Sequence, residues 1–191
     1  SALLTRNDTV LVDKCDHASI VDGVLLSRAK VLRFRHNDVD HLARMFERVD
    51  PGSSTMLVVD GVFSMEGDIA PLPQLVELCK RHKAVFMVDD AHGLGVLGKN
   101  GCGTANHFGV VDDVDIIMGT FSKSLGSIGG FIAADASVID YLKHNSRAMI
   151  FSASMPPPSV GAVLCALDII KEEPERIEKL WANTRYARER L

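Results

Sequence analysis

Short runs of apolar residues alternate with amphipathic helical segments along most of the chain. Each run is continuously apolar rather than alternating, which is typical of strands that are buried on both faces. The sequence therefore predicts an α/β protein with a mostly parallel sheet between helix layers. The predicted strands lie at residues 10–12, 31–34, 56–59, 84–88, 115–118 and 130–134, with residues 149–151 as a further candidate.

The composition excludes several classes of protein. Of the 191 residues, 47% are hydrophobic and 24% charged, and the net charge is −4. With an acidic balance and no run of five like charges, no nucleic-acid partner is expected. The longest uncharged stretch, Ala148 to Leu167, contains three consecutive prolines. Because proline interrupts helices, this stretch predicts no transmembrane segment.

The four cysteines are far apart in the sequence. Cys15, Cys79, Cys102 and Cys165 form no Cys-x-x-Cys pair, and disulfide frameworks and zinc sites need closer clusters. They are expected to be reduced thiols of a cytoplasmic protein, with Cys79 and Cys165 in the core.

Polar side chains follow four of the predicted strands. Parallel sheets bind ligands at the carboxyl ends of their strands, so these side chains are the candidate site. Pyridoxal phosphate requires a lysine for its aldehyde, a carboxylate for its pyridine nitrogen, donors for its phosphate and a group that covers its ring. No metal is expected, because the sequence has no His-x-His or His-x-x-x-His pair. The candidates are His17, Ser64, Asp89, His92, Thr120, Ser122 and Lys123.

A glycine pattern offers a competing interpretation. Gly93 to Gly98 fits the Gly-x-Gly-x-x-Gly fingerprint of dinucleotide-binding proteins, and an NAD-linked oxidoreductase is the corresponding alternative. That fingerprint requires its glycines to open a helix. Lys99 to Gly103 includes two further glycines, so no helix is predicted there. The nearby acidic residues also precede a strand instead of ending one.

Five segments resemble a known family. They read DKCDHASIVDG, DGVFSMEGDIAPL, VFMVDDAHGLGVLGKNGCG, IIMGTFSKSLGSIGGFIAA and IFSASMPPPSVGA. Together they resemble the α-oxoamine synthases, which are fold-type-I pyridoxal-phosphate enzymes. By this resemblance, Lys123 forms the Schiff base with the cofactor and Asp89 pairs with its pyridine nitrogen.

The resemblance also assigns roles to the remaining candidates. His92 and Ser64 are expected to bond the ring hydroxyl, and His17 to stack on the ring. Lys123, Asp89, His92 and His17 are the expected catalytic residues. Thr120 and Ser122 would contact the phosphate. Ser152 or Ser154 is expected to reach the phosphate bound by a partner subunit of a homodimer.

Within the family, the residue before the lysine indicates a branch. Ser122 stands where relatives usually have glycine. Together with residues 141–145 (YLKHN), Ser122 resembles the branch of sphingolipid biosynthesis that condenses L-serine with a long-chain acyl-CoA to a 3-ketosphinganine-type product. The glycine C-acetyltransferase and 8-amino-7-oxononanoate synthase branches stay open as alternatives.

The resemblance implies a longer enzyme. Residues 1–191 correspond to the cofactor-binding large domain, without the upstream glycine/aromatic segment and without a C-terminal small domain that carries a carboxylate-binding arginine. Consistent with this expectation, Ser1 to Leu4 look like the end of a preceding helix. The last predicted helix stops at Leu191 without a glycine cap.

Overall fold

The computed structural model describes residues 1–191 and contains one six-stranded sheet with the strand order β2-β1-β3-β4-β5-β6. All neighbouring strands are parallel except β5 and β6, which are antiparallel. This arrangement confirms the predicted mostly parallel sheet. The strands are β1 (Thr9–Asp13), β2 (Lys30–Phe34), β3 (Thr55–Asp60), β4 (Val85–Asp89), β5 (Ile116–Thr120) and β6 (Gly130–Ala134).

Eight α-helices connect or follow these strands. None of them combines the length and the apolar character that crossing a bilayer requires. The helices are α1 (Ala18–Ser27), α2 (Val39–Phe46), α3 (Leu72–His82), α4 (Thr104–Phe108), α5 (Ala136–Asn145), α6 (Arg147–Ile150), α7 (Pro157–Glu172) and α8 (Glu175–Arg188).

Two apolar clusters cover the two faces of the sheet. Successive residues of a strand point to opposite faces, and along β1 Val10 and Val12 belong to one cluster while Leu11 belongs to the other. The larger cluster packs the sheet against α2 and α3, and the smaller one packs it against α1. Burial on both faces explains why the strands are continuously apolar.

Three local expectations were wrong. Residues 149–151 form no strand, because the amide of Phe151 bonds to the carbonyl of Arg147 and closes the helical turn α6; a short apolar run cannot distinguish these states. Ser1 to Leu4 form no helix, and the side chains of Leu3 and Leu4 pack on the smaller cluster. Cys165 is exposed, since α7 buries only Val163.

Candidate active site at the strand ends

Three neighbouring parallel strands end in a buried aspartate. Asp13 closes β1, Asp60 closes β3 and Asp89 closes β4. Asp60 and Asp89 are register partners. Because the carboxyl ends of parallel strands meet at one edge of the sheet, this edge gathers several acidic groups that are shielded from water.

Asp89 lines a cavity and is held in place by its own loop. Its Oδ1 accepts the amide N–H of Ala91 at 3.1 Å, which fixes the start of the loop that carries His92. The cavity has a volume of about 340 Å³ and a mostly apolar lining, to which Asp89 and Ser19 contribute polar groups. A carboxylate in apolar surroundings is suited to binding a cationic group of a ligand.

The charges of Asp89 and Lys123 both affect the pKa of His92. Burial lowers the pKa of His92, the Lys123 ammonium lowers it further, and Asp89 partly opposes them. The imidazole of His92 is therefore neutral at neutral pH, with one nitrogen available to donate and one to accept a hydrogen bond. These effects place Asp89, His92 and Lys123 within one electrostatic environment.

His17 is fixed at its backbone and open at its ring. Its amide N–H donates to Asp60 Oδ2 at 2.7 Å, across from β3 to the start of α1. Its Nδ1 accepts the amide N–H of Ser19 at 3.2 Å and caps α1. The side chain is exposed and lies next to Ser19 of the cavity wall, so one face of the ring is available to a planar ligand.

The turn after β5 carries an unpaired amine between hydroxyl groups. Thr120 Oγ1 and Ser122 Oγ lie 2.9 Å apart, and the amide of Ser122 donates to Thr120 Oγ1 at 3.3 Å. Lys123 is exposed and forms no salt bridge. Short hydroxyls beside an uncompensated cation are the donor set that a phosphate monoester takes.

The glycine-rich segment packs against this turn and is followed by a single 3₁₀ turn, Lys99–Gly101, but by no α-helix. Ser124 Oγ donates to the carbonyl of Leu94 at 2.8 Å. A Cβ at Gly95 would lie 2.6 Å from Ser124 Cβ, and Gly95 has a φ of +77°. The Gly-x-Gly-x-x-Gly pattern thus lets a loop approach the Lys123 turn closely, and the structure shows no dinucleotide fingerprint there.

Asp90 and Thr104 form a buried lock that the sequence analysis did not identify. Thr104 Oγ1 donates to Asp90 Oδ1 at 2.6 Å, and the Thr104 amide donates to Oδ2 at 2.7 Å. Glycines at 61, 93 and 103 surround the lock, and a Cβ at any of them would overlap it. The Asp-Asp sequence was visible, but only Asp89 was assigned a role.

Asp60 is a second site carboxyl that was missed, although it ends its strand as Asp89 does. Burial raises the pKa of Asp60 to about 6, its hydrogen bond with His17 opposes this, and Asp89 raises it further. Asp16 is hydrogen-bonded to the backbone of Asp60: its Oδ1 accepts the Asp60 amide N–H at 3.0 Å. Burial raises the pKa of Asp16 to about 8, despite that hydrogen bond.

Three predicted residues form no hydrogen bond with the other candidates. Ser64 is exposed in the loop that follows β3, and Ser152 and Ser154 are exposed in the segment between α6 and α7. The structure brings together the polar groups that follow β1, β3, β4 and β5, and the expected contacts of these three serines stay predictions.

Known proteins of two activities are similar to this chain. A serine palmitoyltransferase of Sphingobacterium spiritivorum is 56% identical over 191 residues, and an 8-amino-7-oxononanoate synthase of Symbiobacterium thermophilum is 49% identical over 190. These alignments cover 100% and 99% of this chain but 48% of each relative. The chain therefore spans about half the length of the relatives it matches.

Solved structures agree with these relatives. Sphingomonas wittichii serine palmitoyltransferase superimposes with a TM-score of 0.94 at 38% identity, covering 97% of this chain and 47% of that one. A serine palmitoyltransferase with a pyridoxal-phosphate internal aldimine gives 0.92 at 37% identity, covering 96% and 46%. The aminotransferase class I and II family matches residues 1–191. The chain belongs to this family and, within it, to the α-oxoamine synthases.

Proposed function

We propose that the chain is the pyridoxal-phosphate-binding large domain of an enzyme that condenses L-serine with a long-chain acyl-CoA, releasing carbon dioxide and CoA. The observation that carries this proposal is the common electrostatic environment of Lys123, Asp89, His92 and His17 at one edge of the sheet. These groups come from different strand ends, and their chemistry matches one cofactor.

The residues present fit that cofactor. Lys123 offers an amine without a counter-ion, and Thr120 and Ser122 offer hydroxyls directly beside it. Asp89 is buried, and only its Oδ1 is used by a backbone donor, so Oδ2 is free for a pyridine N–H. Neutral His92 can donate to a ring oxygen, and the open ring of His17 can cover one face.

When bound, pyridoxal phosphate supplies an electrophilic carbon and a protonated ring that accepts the electron pair released at the substrate Cα. In the proposed mechanism Asp89 keeps the proton on the ring nitrogen. Lys123 would hold the cofactor covalently, and its amine, when free, would carry the proton at the substrate Cα. His17 and His92 orient the ring, Ser64 assists at the ring hydroxyl, and Thr120 and Ser122 bind the phosphate.

The choice of substrates is supported by the relatives and by one residue. Identity is 56% to a serine palmitoyltransferase and 49% to an 8-amino-7-oxononanoate synthase. Ser122 precedes Lys123, as in the serine-using branch that the sequence resembles. The Ser122 hydroxyl adds a phosphate donor and does not select the acyl chain, so the substrate assignment rests on the relatives.

We extend the proposal to the assembly and location of the enzyme: a homodimer in the cytoplasm, in the pathway of sphingolipid biosynthesis. The exposed Ser152 and Ser154 would then face the phosphate of the partner subunit. Sedimentation velocity of the full-length enzyme, with and without cofactor, tests the dimer. A monomer that binds cofactor fully would contradict it.

The test of the function uses the full-length enzyme. Its absorption spectrum should change on addition of L-serine, and CoA release should follow when a long-chain acyl-CoA is added. Because each buried methylene contributes about 0.8 kcal/mol, a ladder of acyl-CoA lengths should show a steep preference for long chains. A preference for glycine with acetyl-CoA would refute the serine assignment and leave the cofactor assignment intact.

A further inference from the structure

His36 is held between two carboxylates from different parts of the fold. Its Nδ1 lies 3.0 Å from Asp13 Oδ1 at the end of β1, and its Nε2 lies 2.9 Å from Asp68 Oδ2 in the loop after β3. The next residue, Asn37, bridges the same pair: its amide donates to Asp13 Oδ2 at 2.8 Å, and its Nδ2 donates to Asp68 Oδ2 at 2.9 Å. Two consecutive residues therefore connect the same two acidic groups.

This geometry defines the charge of His36. A carboxylate only accepts hydrogen bonds, so contact with one at each ring nitrogen requires an N–H on both nitrogens. The ring that satisfies both contacts is the imidazolium ion. Burial lowers the pKa of His36, but the hydrogen bonds to Asp13 and Asp68 outweigh burial and raise it overall. The neighbouring Arg35 pairs with Asp38 and not with either of these two carboxylates.

The loop on the Asp68 side is a closed unit. Its ends join where the Ala70 amide donates to the carbonyl of Gly61 at 3.0 Å, and within it the Phe63 amide donates to the carbonyl of Asp68 at 3.0 Å. The buried ring of Phe63 meets His36 edge-on, with centroids 4.5 Å apart. Ser64 follows Phe63 directly, so whatever fixes Asp68 and Phe63 also fixes Ser64.

We propose that His36 is a positioning residue: as an imidazolium it fastens the loop of residues 61–70 to the end of β1 and so sets the place of Ser64 at the active site. The fastening itself rests on hydrogen bonds of this chain alone. Its consequence for Ser64 and the cofactor rests on the function proposed above.

A metal site is the competing explanation for this cluster. Ligand atoms of Asp13, Cys15 and His36 lie within 4.8 Å of one another. Metal ligation needs a ring nitrogen with a free lone pair, whereas both nitrogens of His36 face carboxylates. Burial and the neighbouring Glu66 carboxylate also raise the pKa of Cys15 to about 11, so its sulfur is a neutral thiol rather than a thiolate ligand. Hydrogen bonding accounts for the cluster more completely.

The charge can be tested without changing the site. In full-length protein labelled with ¹⁵N-histidine, the His36 signals are those missing from the His36→Gln variant. Both ring nitrogens should be protonated at about pH 6, near the model-peptide value for histidine, and should lose one proton only at a higher pH, because the pKa is raised. A neutral His36 at that pH, or displacement of its protons by equimolar Zn²⁺, would overturn the proposal.

The fastening is tested by amide hydrogen exchange. In His36→Gln, a neutral side chain with one donor group can satisfy only one carboxylate, so the amides of Phe63 and Ala70 should exchange about tenfold faster. The amide of Leu11 in β1 should be unchanged. His107→Gln, at an exposed histidine, is the matched control. Unchanged exchange at Phe63 and Ala70 in His36→Gln would refute the fastening.

A cofactor titration separates this proposal from the function. His36→Gln should bind pyridoxal phosphate more weakly, and Ser64→Ala should show a similar loss that is not increased in the double variant. If loop exchange accelerates while neither variant affects cofactor binding, the assigned role of Ser64 is wrong and the part of the proposal that concerns the site fails. If the full-length protein binds no cofactor at all, the proposed function fails. The hydrogen-exchange result still tests whether His36 holds the loop of residues 61–70 to the end of β1.

Discussion

Asp60 and Asp89 are register partners at the carboxyl ends of neighbouring parallel strands, and both are buried. The Asp89 carboxylate opposes the ionisation of Asp60, because like charges repel each other in a shielded site. Burial first, and then Asp89, raises the pKa of Asp60 to about 6. Asp89 lines the cavity, while Asp60 accepts the amide N–H of His17.

Asp60→Asn should stabilise the cofactor-free protein at neutral pH. Ionising Asp60 costs folding free energy, since its pKa is about 6 in the folded chain against an ordinary 3.8. The cost grows as pH rises through this interval and is fully present above it, so the variant should gain about 3 kcal/mol at pH 8 and progressively less toward the ordinary pKa. Urea unfolding across this pH range measures the gain. Asp22→Asn, on the exposed side of α1, should show none.

Lys123→Ala should abolish covalent attachment of the cofactor. Borohydride should fix pyridoxal phosphate to Lys123 of the full-length enzyme as a secondary amine, which peptide mass spectrometry would locate. Turnover should fall by about three orders of magnitude or more, because attachment and proton movement at Cα are lost together. Lys171→Ala, an exposed lysine on α7, should behave as wild type. Near-normal turnover in Lys123→Ala would contradict the assignment.

Asp89→Asn should separate cofactor binding from cofactor function. The amide oxygen can still accept the Ala91 N–H, which preserves the start of the loop, while the charge that holds the ring proton is gone. Exchange of the serine Cα proton in D₂O should slow by about a hundredfold or more, although the cofactor still binds. NMR of the substrate measures that exchange. A wild-type exchange rate would rule out the role of Asp89.

The sequence predicted the sheet because its strands are buried on both faces and carry an unambiguous apolar signal. It also predicted that polar groups after β1, β3, β4 and β5 meet, since parallel strands share one carboxyl edge. The residue pattern alone did not decide which of two adjacent aspartates faces the cavity, and the selection of Asp89 came from the family resemblance. Asp89 faces the cavity and Asp90 turns to Thr104, a contact 14 residues away in sequence.

Other features depended on partners that are distant in sequence. Asp13 and Asp68 are connected through hydrogen bonds to His36 and Asn37, and no local sequence pattern predicts a connection of that kind. The exposure of Cys165 follows from how little of α7 is buried, which the apolar composition of that helix does not reveal. Residues 149–151 illustrate the same limit for short apolar runs, where local hydrogen bonds decide between helix and strand.

Gly103→Ala should destabilise the protein more than Gly109→Ala, because an overlap with the Asp90 lock adds to a backbone conformation that already favours glycine. Gly103 and Gly109 both have a positive φ, at +96° and +70°, but a Cβ at Gly103 would overlap Asp90 Oδ2 and a Cβ at Gly109 would meet nothing within 4 Å. Gly109→Ala should therefore cost about 1 kcal/mol of unfolding free energy from backbone strain. Gly103→Ala should add a further cost of about 2 kcal/mol or more, because the Asp90–Thr104 hydrogen bonds are buried. Urea unfolding of both variants measures the difference, and equal costs would show that the lock tolerates a side chain.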